Sequence, residues 1–268
     1  MRSNAAYSHS QARVSALATI RGTVSRLWRW PVKSMAGERV NAMRVDERGA
    51  GGDRTHAVTH EHKGTVRPLT AREAPRLLAW SAAYPFNLDA GLEPARPPFA
   101  VVTAPSGRSY RWGDPRLRSA LEADLERPVQ LKRELDGIQD LPGTLLLTVE
   151  ASLDALGSEL GGPVDLRRFR PNLHLELEAP AWAELRWEGA ELEFSGGVRL
   201  QLLHPCVRCA IPTRHPDTQV KWPGLLSHLE QAHQRSFGIN ARVLTPGRIA
   251  AGETLAVRLA TGSGPNGR

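Results

Sequence analysis

The stretch ELEFSGGVRLQLLHPCVRC, residues 191–209, decides how this chain is read. Leu192 and Phe194 alternate with charged residues, and Val198, Leu200 and Leu202 do the same after Ser195-Gly196-Gly197. Two half-buried strands joined by a tight turn give this pattern. The pattern stops at His204-Pro205. Proline cannot donate to a strand ladder, so the strand is expected to end there. The thiols of Cys206 and Cys209 then fall in a loop at the end of a hairpin.

Working outward, further short runs read as strands. Thr23–Trp30 places Val24, Arg26, Trp28 and Trp30 on one face, and Arg39–Val45, Thr55–Thr59 and Arg108–Trp112 have the same character. Helices are fewer. Asp114-Pro115 is an N-cap followed by proline at the first helical position, predicting a helix over 115–125. Ser152 is expected to cap a second helix to about Leu160, before Gly161-Gly162. Leu69–Ala79, interrupted at Pro75, and Pro223–Ala232 are the other candidates. Many short strands with scattered helices predict a β-rich α+β architecture of barrel type. No glycine-rich phosphate loop is present.

The chain has 268 residues, 41% hydrophobic and 24% charged, which excludes a disordered or fibrous protein. Its net charge of +7 suits anionic ligands. Two cysteines cannot build a disulfide framework and favour a reducing, cytoplasmic setting. No apolar run is long enough for a membrane span. Residues 1–20 read as a loose extension, PARPP at 94–98 as a stiff connector, and 261–268 as a flexible tail.

Cys206 and Cys209 admit four readings. They are inert buried thiols; half of a structural zinc site completed by His204 and His215; a redox dithiol; or the source of one thiolate for a soft metal. Zinc wants four ligands at tight spacing, and the dithiol lacks its usual βαβ context. Arg208 favours a thiolate, and thiolate suits molybdenum held in a dithiolene. Arginines stand at several expected loop edges: Arg54 in GGDR (51–54), Arg72 in TAR (70–72), and Arg168 and Arg170 in RFRPN (168–172). Pro171 predicts an extended Arg170, whose guanidinium suits a phosphate. Asn172 has donors and acceptors for a pterin edge. Lys33, in WPVKS (30–34), can grip a phosphate, form a Schiff base or solvate a loop. His56, His60 and His62 read as a solvated face, and Trp28 and Trp30 as core.

Together, WPVKS, GGDR, LTAREAPRL (69–77), RFRPN, PCVRCAIPT (205–213), FGINARV (237–243) and PGRIAAGE (246–253) stand in an order that resembles the MOSC family. Within it the chain is similar to two-part proteins such as the amidoxime-reducing components and their bacterial relatives. The resemblance runs from about Thr23 to Val257. It implies a MOSC N-terminal β-barrel domain over 21–113 packed on a MOSC β-barrel domain over 114–260, with a few peripheral helices. It implies the molybdenum cofactor, with Cys209 as the catalytic thiolate on molybdenum and Cys206 in a supporting role. Lys33, Ser34, Arg54, Thr148, Arg170, Asn172 and Arg208 would hold the pterin and its phosphate.

The implied activity is reduction of small N-hydroxylated (N–O) substrates. Electrons would come from a separate donor protein, since two cysteines provide no iron–sulfur cluster. Neither a nucleic-acid nor a membrane partner is expected. The alternatives are a carrier of the cofactor or of sulfur without turnover, and pyridoxal-phosphate binding through Lys33. The chain departs from the family after the cysteines, where Arg214, His215 and Gln219 replace a valine-like residue, an aspartate and a glycine.

Overall fold

The computed structural model describes residues 19–85, 96–138 and 141–259. Its strands in the first half are β1 (Thr19–Arg29), β2 (Glu38–Val40), β3 (Ala42–Asp46), β4 (Gly49–Ala50), β5 (His56–His62), β6 (Thr65–Pro68), β7 (Ser81–Ala83), β8 (Val101–Thr103), β9 (Ser109–Arg111) and β10 (Gln130–Arg133). Those in the second half are β11 (Thr144–Val149), β12 (Leu173–Leu177), β13 (Glu191–Phe194), β14 (Arg199–Val207), β15 (Ser236–Thr245), β16 (Gly247–Ala250) and β17 (Thr254–Arg258). Three helices accompany them among the described residues: α1 (Pro115–Leu125), α2 (Glu150–Glu159) and α3 (Pro223–His233).

The order β12-β11-β15-β14-β13-β17-β1 closes on itself because β1 also pairs with β12. Seven strands thus form a barrel, and closure removes the exposed edges that invite aggregation. Every pairing in the ring is antiparallel except β11 with β12. A parallel pair needs a crossover, which α2 and the turn at Leu166–Arg168 supply. Val24, Leu27, Leu147, Phe194, Leu200, Ile239 and Val257 fill the interior.

The expected hairpin is present, with Leu192 opposite Leu200 and the Phe194 amide donating to Val198 O at 2.9 Å. Pro205 does not end its second strand. Instead β14 continues to Val207 through register shifts on either side of Pro205. The proline is accommodated in the irregular pairing, so Cys206 lies on the distorted strand end and only Cys209 lies beyond it.

β1 departs from its expected alternation. Its register against β12 slips between Val24 and Arg26, leaving Ser25 as the extra residue of a bulge. The inward side chains are therefore Val24 and Leu27, not Val24 and Trp28. Trp28 and Trp30 stack on each other at 5.7 Å outside that core.

A second core gathers Val32, Met35, Leu69, Leu77, Trp80 and Val102 with Leu117, Leu121 and Leu125 of α1. The predicted helix 115–125 is thus present, with Asp114 accepting from the Arg116 amide. By packing it belongs with the first half of the chain, while β1 belongs to the barrel. Its apolar residues, spaced by four, face that core. Ser152 lies inside the first turn of α2 instead of capping it, because its hydroxyl is taken by Glu184. Leu69–Ala79 forms only a short 3-10 turn from Pro75. α3 runs to His233 and packs with α2, Phe169 and Phe237 in a third cluster. No helix among the described residues is long and apolar enough to cross a membrane. Residues 1–18 of the expected extension, Pro94 and Ala95 of the connector, and the tail at 261–268 lie outside the described residues.

Candidate functional site

Where the distorted end of β14 meets the loops of the first half, a cleft of about 350 Å³ opens. Lys33, Ser34, Arg54, Arg170, Asn172, Arg208, Cys206 and Cys209 all line it, although they come from chain segments as far apart as 33 and 209. Arg72, His204, Thr144, Phe169 and Asn240 line it as well. Among the described residues, the lining carries five cationic side chains and no carboxylate.

Backbone geometry concentrates here. Ser34, Arg54 and Arg170 have φ of 71°, 49° and 56°, in the left-handed region that non-glycine residues seldom adopt. Such strain persists only where surrounding bonds hold it. Arg170 was expected to be extended before Pro171. Its left-handed turn is held by its amide on Arg167 O at 3.3 Å and by Arg54 Nη2 on its carbonyl at 3.1 Å. The Ser34 hydroxyl accepts from the Ala71 amide at 3.0 Å.

The guanidinium groups are positioned individually. Arg170 Nη1 donates to Met35 O at 2.6 Å, and its Cζ lies 4.2 Å from the Trp30 ring centre. Its Nη2 is buried without a partner among the described residues. Burial, then the neighbouring Arg54, lower its pKa to about 9, with Arg208 adding and Asp53 and Cys209 opposing. Arg54 pairs with buried Asp53, which also accepts from the Trp30 amide at 2.8 Å. Arg208 Nη1 donates to Cys206 Sγ at 2.9 Å, and Nη2 to Phe169 O at 2.7 Å. Lys33 Nζ donates to Ile138 O at 3.1 Å.

Asn172 is fully buried, and its amide ties strands together. Oδ1 accepts from the Leu146 amide at 3.1 Å, and Nδ2 donates to Trp28 O at 3.4 Å. Thr148 is not in the cleft. It is fully buried farther along β11, where its hydroxyl meets His174 Nδ1 at 2.8 Å and His174 Nε2 meets Glu150 at 2.7 Å. Thr144 lines the cleft on the same strand, two alternations earlier. The strand period of two puts both threonines on one face, so the sequence could offer Thr144 as a candidate without choosing it over Thr148. Asn240 was also missed, although it stands within FGINARV; its Nδ2 donates to His204 O at 3.3 Å.

The other sequence candidates lie elsewhere. Arg214 borders an adjoining hollow with Trp28, Trp30 and Arg168. His215 groups with Asp165 and Asp217, away from the cysteines. Among the described residues, no group of three close metal-ligating side chains includes a cysteine, so the His204/His215 completion of a zinc site is not assembled. His56 is not part of a solvated face. It is fully buried, bonded to Thr55 and Pro31, and burial lowers its pKa to about 4.

Comparison with known proteins adds the family. The model described as MOSC N-terminal beta barrel domain matches residues 21–106, and that described as MOSC domain matches 143–256. Mitochondrial amidoxime-reducing component 1 of Mus musculus is 27% identical over 239 residues, covering 74% of this chain and 67% of that protein. Its namesake from Xenopus laevis is 33% identical over 106 residues, covering 37% of this chain but 30% of that protein. The solved YUAD protein from Bacillus subtilis aligns at a TM-score of 0.49 with 14% identity, covering 92% of this chain and 100% of that one. With both domains matched in order across most of its length, the chain belongs to the MOSC-domain proteins.

Proposed function

We propose that the chain is a molybdenum-cofactor oxidoreductase that reduces N-hydroxylated compounds with electrons from a separate reductase. The observation that carries this is the cleft's composition: five cations, two free cysteines and no carboxylate among its described lining residues. Sulfur suits a soft metal and guanidinium suits a phosphate. Arg170 Nη2, buried without a partner among the described residues, fits a site that expects an anionic ligand. The similarity to amidoxime-reducing components supports the same reading.

In this proposal Cys209 is the protein ligand to molybdenum. Arg54, Arg170 and Arg208 hold the anionic part of the cofactor, with Lys33 and Ser34 beside them. When bound, the cofactor supplies two-electron chemistry: an N–OH group takes two electrons and two protons and leaves as N–H and water. Arg208 fixes Cys206, three residues from Cys209, by its bond to sulfur. Thr144 and Asn240 offer polar contacts at the wall. Two free thiols suit a reducing compartment, and a cytoplasmic location belongs to the proposal.

The test is turnover. Protein loaded in a cofactor-competent host is given an electron donor and an aromatic amidoxime, and formation of the amidine is followed. Molybdenum-replete protein that turns over no N-hydroxylated compound would favour the carrier alternative.

A further inference from the structure

We infer that Glu159, His228 and His233 form a site for a divalent transition-metal ion that ties the end of α2 to α3, apart from the cleft and independent of the function proposed for it. Glu159 is the last residue of α2; both histidines belong to α3. One carboxylate oxygen, Oε2, meets His228 Nε2 at 2.7 Å and His233 Nε2 at 2.8 Å. The three ligand atoms all lie within 4.8 Å of one another.

Two imidazoles and one carboxylate are a donor set for zinc, copper or nickel, with a remaining position open to water. An ion at about 2.0–2.2 Å from each ligand needs these separations to open by less than about 1 Å. The ligands are also oriented from outside. Trp182 Nε1 donates to the other carboxylate oxygen at 3.1 Å, and its ring stacks on His233 at 3.5 Å and 19°. Supporting contacts of this kind accompany metal ligands. A simple ion pair needs one imidazole on Oε2; here two converge, and a metal ion replaces both of their protons.

The experiment uses the full, untagged chain with Cys206 and Cys209 both replaced by serine, so that the cleft offers no sulfur. Zinc chloride is titrated by calorimetry at pH 7.5. One ion per chain is expected, with binding lost in the combined variant His228→Gln, His233→Gln. Trp182→Phe removes the supporting bond and weakens binding about tenfold. Copper(II) bound to the cysteine-free chain should show nitrogen hyperfine structure from two imidazoles in its paramagnetic resonance spectrum. No zinc binding to the cysteine-free chain, unchanged binding after both histidines are replaced, or copper without imidazole coupling would overturn the assignment.

Discussion

Arg208 points its guanidinium at Cys206, with Nη1 2.9 Å from Sγ, and not at the neighbouring Cys209. Its other terminal nitrogen holds the Phe169 carbonyl. One side chain thus fastens the thiol loop to the Arg168–Asn172 segment that supplies Arg170. Arg208→Met keeps much of the stem but removes both bonds, leaving a buried carbonyl unpaired. The cofactor-free variant should lose about 1–3 kcal/mol, read from urea denaturation.

Arg170 combines a left-handed backbone, an aromatic ring beneath its guanidinium and an Nη2 that no described residue pairs. Lysine keeps the charge but not the planar fork. Arg170→Lys should fold, by circular dichroism, and bind cofactor about tenfold more weakly, a loss of about 1.4 kcal/mol. Equal cofactor content at limiting supply would remove Arg170 from the binding set.

His56 makes stability depend on pH. The folded chain keeps it neutral down to about pH 4, whereas an unfolded chain protonates it near its ordinary 6.5. Between those values the unfolded state binds more protons, so stability is full above pH 6.5 and falls as pH drops towards 4. The contribution is on the order of 3 kcal/mol. Denaturation of wild type and His56→Gln across pH 4–7.5 should show the wild type losing more stability on acidification. Parallel curves would contradict this.

Gly238 has φ of 74°, and a Cβ there would lie 2.4 Å from Leu147 O on the paired strand β11. Neither the conformation nor the space admits alanine. Gly238→Ala should cost more than about 1 kcal/mol in thermal or urea unfolding and disturb the β11–β15 ladder.

The elements legible in the sequence were those set by local chemistry. The Glu191–Leu203 hairpin follows from alternation around a glycine turn, and α1 from Asp114-Pro115. What local chemistry could not show was long-range. The bulge at Ser25 depends on β12, far along the chain, and it reverses which side chains of β1 enter the barrel. Pro205 is tolerated because β15 pairs around it. Pro171 favours an extended Arg170, but the Arg167 carbonyl on its amide and Arg54, from a distant segment, on its carbonyl hold the residue left-handed. At the cleft, charge and sulfur were readable as motifs, whereas Thr148 could be separated from Thr144 only once strand depth was known.

The central claim rests on Cys209. Molybdenum per chain, measured by plasma mass spectrometry on wild type and Cys209→Ala from a cofactor-competent host, with zinc counted in the same run, tests it most directly. The account predicts molybdenum near one per wild-type chain and its loss in the variant. Full molybdenum in Cys209→Ala, or none in wild type after reconstitution with cofactor, would contradict it.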